Sequence, residues 1–295
     1  MKLDPITLVD HISPTSLSTF SDCRLQWYWY GPLGYQAISR AVAFDIGEGV
    51  HLALAKFYKG KQKGKEVDLV AVFTKWADKR LDELELDDAD EIQKAAHVRT
   101  MGITMLEGYA SRYRHEQLEV LAVEKEVSRP LPGTGWSIDC RIDAIVKDHG
   151  YREKVFVLEH KTFTRFLPGY LIKDHQFVAE VWAAEMLMTP IHGLIYNGLR
   201  KQIPSPRVRV PLFERHTVEV NEFQVKGFLR RARGMWNQLS SPTLSVYPEP
   251  NPVRCSMCQF SEPCTAYMRG EDYQFILDSE YVKRDRSTEA EGEDA

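Results

Sequence analysis

The chain lacks several features that would define its class at once. It has no apolar run long enough to span a bilayer, and its first residues, MKLDPITLVD, contain no basic stretch followed by an apolar one. It has no G-x4-G-K-[ST] phosphate loop, so no ATPase motor is visible. The formal net charge of -4 gives no support by itself to a nucleic-acid partner. We therefore expect a cytoplasmic protein without a membrane partner.

Cysteine is scarce, and its five residues are unevenly placed. One stands alone near the start, Cys23, and three follow much later as C-x2-C-x5-C, namely Cys255, Cys258 and Cys264. Thiols stay reduced in the cytoplasm, so clustered cysteines indicate a metal site rather than disulfides. Four thiolates bind either zinc or an iron–sulfur cluster, and both remain open at this point. The fifth, Cys140, falls on the apolar face of a strand and is interpreted as a core residue.

The order of predicted elements indicates a mixed α/β protein. Ser13 and Pro14 form a helix start, with Ser13 as the N-cap, and this helix ends near Cys23. Apolar spacing predicts helices over about 46–58, 66–86, 90–115, 172–188 and 222–240. Alternating apolar and polar residues predict a meander of three strands at about 119–127, 137–147 and 154–161, with further strands at about 191–199 and 217–220.

Strand periodicity places three chemically active residues on one face of the predicted meander. Asp143 lies opposite the apolar face of its strand, and Glu159 and Lys161 share one face of the next strand. If the two strands pair as a hairpin, these side chains converge near its open end. Two carboxylates can bind Mg2+ or Mn2+, and a nearby lysine can orient or deprotonate an attacking water. A surface salt bridge between Glu159 and Lys161 is the alternative for so short a motif.

Several motifs together resemble the PD-(D/E)XK nuclease superfamily, specifically its RecB-like branch. In chain order they are ISPTSL at 12–17 with Cys23, GEGVH at 47–51, CRID at 140–143, LEHKT at 158–162, and Gln176. The cysteine arrangement is similar to that of the iron–sulfur nucleases of this branch, which include CRISPR-associated exonucleases and AddB-type helicase–nucleases. Many phage recombination nucleases look similar. Two residues depart from the family pattern, because Glu180 replaces the usual tyrosine and Arg24 the common proline.

The resemblance implies a restriction-endonuclease-like core, with a mixed central sheet flanked by helices. A helical N-terminal region and a C-terminal cysteine segment would complete it. We expect one RecB-like nuclease domain over residues 1–284, with a mainly helical part at 13–116, a catalytic core at 117–221, and a helix with the cysteine segment at 222–284. The polar, acidic residues 285–295 are expected to form a disordered tail.

The resemblance also implies roles for individual residues. Asp143 and Glu159 would bind catalytic Mg2+ or Mn2+, and Lys161 would activate or position the water. His51 and the carbonyl group of His160 would complete the metal shell. The other expected site residues are Cys23, Cys255, Cys258 and Cys264 for a 4Fe-4S cluster, Gln176, Arg200 and Lys201 for DNA contacts, and, more weakly, Glu124. Zinc is the less favoured metal because only one C-x2-C pair is present.

The function implied by the resemblance is that of a metal-dependent DNA exonuclease with a structural cluster. Its substrate would be DNA with free ends or single-stranded DNA, and recombination or replication proteins would be partners. It would act in recombination, repair or phage DNA processing, in the host cytoplasm if phage-encoded. The alternatives are a spacer-processing nuclease of CRISPR adaptation and a non-catalytic iron–sulfur DNA-binding module. A redox carrier is disfavoured, since no flavin or haem motif accompanies the cysteines.

Overall fold

The computed structural model describes residues 11–38, 42–83, 89–207, 209–241 and 243–283. The predicted tail at 285–295 lies outside these residues. The chain forms two compact units. Unit 1 comprises Met1–Arg40, Pro130–Ser137 and Leu229–Ala295, and unit 2 comprises Ala41–Arg129 and Ile138–Phe228. The expected single-domain organisation stays a prediction. Within the described ranges, no helix has both the length and the apolarity needed to cross a membrane.

The helices and strands predicted from the sequence occur in the predicted order, together with short elements that were not predicted. The helices are α1 (Pro14–Asp22), α2 (Arg24–Tyr30), α3 (Val42–Gln62), α4 (Leu69–Glu83), α5 (Ala89–Arg112), α6 (Pro168–Leu171), α7 (His175–Ala184), α8 (Glu222–Leu239), α9 (Pro252–Cys255), α10 (Ser261–Arg269) and α11 (Tyr273–Glu280). The strands are β1 (His11–Ile12), β2 (Tyr35–Ala37), β3 (Leu118–Pro130), β4 (Ser137–Asp148), β5 (Lys154–Phe163), β6 (Gly193–Arg200), β7 (Phe213–Glu219) and β8 (Tyr281–Lys283).

Unit 2 is built on a mixed sheet in which β4, β5, β6 and β7 are neighbours in that order, and β3 pairs with β4. The β4–β5 and β6–β7 pairs are antiparallel, whereas β5 and β6 are parallel. The connection from β5 to β6 carries α6 and α7, as a parallel pair requires a crossover. The predicted meander of β3, β4 and β5 is confirmed.

Helices cover both faces of this sheet. One face packs its apolar residues, including Phe156 and Leu158, against a core cluster contributed by α3, α4 and α5. The other face carries Val157 and Tyr196, both buried, and Tyr196 contacts Phe177 of α7. Burial on both faces explains the apolar runs at 155–158 in β5 and 194–196 in β6. Glu159 and Lys161 share the α7 side with Val157.

Local sequence signals account for the helix boundaries. The Ser13 side chain accepts a hydrogen bond from the Ser16 amide (3.1 Å), with Pro14 in the first turn, as predicted. The helix predicted from about residue 172 begins instead at His175, because Asp174 caps it by accepting from the Gln176 amide at 2.9 Å. The short helix α2 was not predicted, and β7 begins four residues before its predicted start at 217.

Unit 1 has a small aromatic core of its own. The fully buried ring of Trp29 lies 5.6 Å from that of Phe260, 6.4 Å from Tyr267 and 5.9 Å from Tyr273, measured between centroids. Strand β2 pairs with β8 in an antiparallel ribbon. These contacts join residues near the two ends of the sequence, so unit 1 depends on long-range closure of the chain.

Two helical glycines provide a matched test of this packing. A Cβ atom on Gly102 of α5 would lie 2.0 Å from Cζ of Phe73, which is fully buried, whereas one on Gly227 of α8 would meet nothing within 4 Å. We expect Gly102→Ala to lower the free energy of unfolding by about 1–3 kcal/mol through overpacking. Gly227→Ala should raise it by up to about 1 kcal/mol through helix propensity. Urea denaturation measures both, and equal effects would contradict the packing described.

Candidate active site and cysteine cavity

The pairing of β4 with β5 brings Asp143 and Glu159 together. Ala144 pairs with Leu158, so the next residue on each strand, Asp143 and Glu159, face each other at the end of the ladder. Both side chains are buried, and the His160 amide donates to Asp143 Oδ2 at 2.9 Å. Burial and the charge of Asp143 raise the pKa of Glu159 to about 7. The shared face expected for these two carboxylates is therefore observed.

The histidine of the GEGVH motif reaches this pair from helix α3. His51 Nδ1 lies 3.4 Å from Asp143 Oδ2, and about a third of the His51 side chain is exposed. Burial is the largest single effect and lowers the pKa of His51. The charge and hydrogen bond of Asp143, together with the charge of Glu159, outweigh it, so the pKa is raised overall. Burial opposes the charged form of Asp143 in turn, yet His51 and His160 keep its pKa below the usual range. His51 is thus placed to share a cation with Asp143.

Lysine 161 and helix α7 complete the group around Glu159. Lys161 Nζ lies 2.6 Å from Glu159 Oε1, and Gln176 Nε2 donates both to Glu159 Oε1 (3.3 Å) and to Glu180 Oε1 (2.7 Å). Sequence reasoning noted Glu180 only as a departure from a motif. The signal was present, because a spacing of four residues places Gln176 and Glu180 on the same helix face.

A buried hydrogen-bond network supports the site from the other face of the sheet. Asn197 Oδ1 accepts from Arg215 Nε (3.0 Å) and Nη2 (2.8 Å), which leaves its amide nitrogen to donate to His160 Nδ1 at 2.7 Å. His160 must then accept through Nδ1, so its ring is neutral. Burial accordingly lowers the pKa of His160 to about 3. Sequence reasoning missed both Asn197 and Arg215.

Two tyrosines and Glu116 extend this network to the helices. Arg215 Nη1 donates to Glu116 Oε2 at 2.7 Å and Nη2 donates to the Tyr109 hydroxyl group at 3.0 Å. Tyr58 donates to Glu116, and its hydroxyl oxygen lies 2.6 Å from that of Tyr109. The Tyr58 ring stacks on His160 with centroids 5.2 Å apart. The network therefore joins α3 and α5 to the strand that carries Glu159 and Lys161.

The remaining predicted site residues differ in their surroundings. Glu124 accepts from Arg141 Nε at 2.7 Å, and burial together with the charge of Asp143 raises its pKa. Arg200 is buried and donates to the carbonyl groups of Thr164 (2.7 Å) and Pro211 (2.8 Å), so its guanidinium group joins two loops. Burial lowers the pKa of the neighbouring Lys201. DNA contacts by these residues stay predictions.

The donors around Asp143 suit a hard divalent cation. Three buried carboxyl groups lie near one another, those of Asp143, Glu159 and Glu180, and Glu180 Oε2 has no hydrogen-bond partner among the described residues. Mg2+ and Mn2+ prefer such oxygen ligands, and Mg2+ commonly takes one or two carboxylates and completes its shell with water. Over the ranges that the structure describes, no three His, Cys, Asp or Glu side chains are arranged as ligands of one ion.

The cysteines that are distant in sequence meet in unit 1. All four, Cys23, Cys255, Cys258 and Cys264, line one cavity of about 170 Å³ and are free thiols. Burial, followed by the charges of the other three thiols, raises the pKa of Cys264 to about 11. The Glu249 amide donates to Cys23 Sγ (3.5 Å) and the Asn251 amide donates to Cys255 Sγ (3.3 Å). Cys140 is buried elsewhere, in unit 2.

Comparison with known proteins assigns the chain to a family. A family model of the PD-(D/E)XK nuclease superfamily matches residues 11–265, which include every expected metal ligand. The chain belongs to the PD-(D/E)XK nuclease superfamily. Its mixed sheet flanked by helices is the restriction-endonuclease-like fold expected from the motifs. Members of this superfamily typically use Mg2+ or Mn2+.

Two solved structures are similar at low sequence identity. The crystal structure of SSO0001 has 16% identity and a TM-score of 0.39, and the match covers 87% of this chain and 86% of that one. The crystal structure of a candidate exonuclease from Eubacterium rectale has 11% identity and a TM-score of 0.48, with full coverage of both chains. Both TM-scores lie below 0.5, so neither likeness bears on the assignment. A search of curated proteins found no match.

The neutral ring of His160 predicts a pH dependence of stability. Its pKa of about 3 in the folded state lies below the ordinary histidine pKa of 6.5, so the unfolded chain binds the additional proton between these values. The stability that His160 contributes is therefore present above pH 6.5 and is lost as the pH falls towards 3. We expect the stability advantage of the wild type over His160→Gln to shrink over this window. Urea melts of both proteins at several pH values measure it, and a constant difference would contradict a neutral buried ring.

Proposed function

We propose that this protein is a Mg2+- or Mn2+-dependent DNA nuclease of the RecB-like branch, acting as an exonuclease. The observation that supports it best is the meeting of Asp143 and Glu159 with Lys161, whose Nζ lies 2.6 Å from Glu159 Oε1. DNA with free ends or single-stranded DNA would be its substrate, in recombination, repair or phage DNA processing in the cytoplasm. Recombination or replication proteins would be its partners.

Each residue of the site would have a separate role in phosphodiester hydrolysis. Asp143 and Glu159, with His51 and the His160 carbonyl group, would hold the cation, which supplies charge to polarise the phosphate and activate water. Lys161 has an ammonium group that can donate to a phosphate oxygen or to the attacking water, as it donates to Glu159 in the structure. The buried network behind His160 keeps its backbone amide directed at Asp143. Gln176 positions Glu159.

We also propose that the cysteine cavity of unit 1 holds a structural 4Fe-4S cluster. Four thiols around one cavity provide the donor set that such a cluster uses. Ligand binding at this point would add directly to folding stability, since Cys23 and Cys264 lie near opposite ends of the chain. Zinc is the alternative occupant of the same thiols.

The catalytic assignment is tested by three single substitutions. Asp143→Ala, Glu159→Ala and Lys161→Ala should each reduce DNA cleavage a hundredfold or more, because each removes a cation ligand or the group that positions the water. End-labelled linear and closed circular DNA, incubated with Mg2+ or Mn2+, separates exonuclease from endonuclease activity. Glu126→Ala, an exposed carboxylate on β3, is the matched control and should retain activity. Wild-type turnover in the folded Asp143 or Glu159 variant would refute the proposal.

A separate prediction concerns His51. Because His51 lies 3.4 Å from Asp143 and is partly exposed, His51→Ala should weaken Mn2+ binding more than it weakens folding. The defect in cleavage should then diminish as Mn2+ is raised. Titration calorimetry and thermal melts measure the two effects. A variant that unfolds without any rescue by Mn2+ would identify His51 as a core residue instead.

The cluster predicts a colour and an iron content. Protein purified without oxygen should be brown and contain about four irons per chain. Replacing any cysteine of the cavity with alanine should remove the colour and lower the melting temperature, whereas Cys140→Ala should keep the colour. Colourless protein with stoichiometric zinc would show that the four cysteines bind zinc instead of a cluster. Cysteine variants with unchanged melting and no bound metal would exclude both.

A further inference from the structure

Glu180 is a buried carboxyl group whose hydrogen bonding is incomplete. It lies on α7 with 3% of its surface exposed, and its Oε1 accepts from Gln176 Nε2 at 2.7 Å. Its Oε2 is buried and has no hydrogen-bond partner among the described residues. A buried polar atom without a hydrogen-bond partner is destabilising, and more so when the group is charged. We therefore expect Glu180 Oε2 to gain a hydrogen-bond partner in another state of the site.

Lys161 is the cation best placed to be that partner. Its Nζ donates to Glu159 Oε1 at 2.6 Å, and the Gln176 amide group joins Glu159 to Glu180. Burial lowers the pKa of Lys161, but the charges of Glu159 and then Glu180 raise it by more. Lys161 thus lies within the field of both carboxyl groups while hydrogen-bonding to the first.

The balance of charges in the site indicates when Glu180 is needed as an acceptor for Lys161. Three carboxyl groups surround the site, those of Asp143, Glu159 and Glu180, and they carry three negative charges when all are ionised. Burial and then the charge of Glu159 raise the pKa of Glu180, so its ionisation requires added positive charge. One divalent cation and one ammonium group together carry three positive charges, so the set is neutral when both are present. A cation held by Glu159, however, competes with Lys161 for the same oxygen atoms. Without another acceptor, Lys161 would either oppose cation binding or leave the site.

We infer that Glu180 is the carboxylate that receives Lys161 when a divalent cation occupies Glu159. This inference rests on the proposed function and deepens it. Glu180 is then a positioning residue: it does not touch the substrate, and it keeps the ammonium group beside the cation.

A double-mutant cycle tests the exchange without reference to activity. Mn2+ affinity is measured by titration calorimetry on the anaerobically purified full chain, for the wild type, Glu180→Gln, Lys161→Met and the double variant. Glu180→Gln should weaken Mn2+ binding roughly tenfold, because Lys161 keeps competing for Glu159, an effect of the size found for coupled neighbouring residues. In the Lys161→Met background, the same substitution should change affinity by less than about twofold.

Controls separate this role from others. Glu185→Gln, which changes a half-exposed carboxylate bound to Arg129 at the end of α7, should leave Mn2+ affinity unchanged. Thermal melts establish that each variant is folded. If the glutamine variant does not fold, Glu180→Met, which removes both the charge and the unpaired oxygen, replaces it in both backgrounds.

The other outcomes overturn the inference in distinct ways. Equal weakening in both backgrounds, with loss of a bound Mn2+ equivalent, would make Glu180 a cation ligand. No weakening in either background would make it a structural residue. A wild-type protein that binds no Mn2+ would refute the proposed function and the inference with it. If the wild type binds Mn2+ but the double-mutant cycle shows no coupling, only the inference about Glu180 fails.

Discussion

The structure of unit 2 centres on a repulsion between like charges. Pairing of β4 with β5 sets Asp143 opposite Glu159, and both are buried. Burial and then the charge of Asp143 raise the pKa of Glu159, whereas His51 and His160 keep the pKa of Asp143 below its usual range. The surrounding groups supply positive charge or hydrogen-bond donors. A divalent cation would relieve the same repulsion, so the two carboxyl groups favour the binding of such a cation.

The buried hydrogen-bond network on the other face of the sheet has a different role, which is to fix the position of His160. His160 donates its backbone amide to Asp143, while its ring accepts from Asn197 and stacks on Tyr58. Asn197 is oriented by Arg215, which can only donate. Each buried polar group in this network has a partner, as a low-dielectric interior demands. The network therefore fixes both the ring and the backbone amide of His160.

The two units present different potential donor groups. Oxygen donors around Asp143 suit Mg2+ or Mn2+, whereas the thiols around Cys264 suit iron or zinc, so one kind of metal would not readily occupy both places. The thiols also come from opposite ends of the chain, where closure of a long loop constrains the unfolded state. The proposed cluster would therefore stabilise unit 1, and the proposed cation would serve the chemistry of unit 2.

The sequence by itself determined those features that depend on near neighbours. The N-cap at Ser13 and the shared strand face of Glu159 and Lys161 follow from capping and from a side-chain period of two. Only the tertiary structure decided the environment of Glu180, the contacts of Arg200 and the network around Asn197. Glu180 could be placed on the face of Gln176 by helical spacing, but not beside Lys161. Burial and long-range partners arise from which helix packs on which strand, and this depends on the whole chain rather than on local pattern.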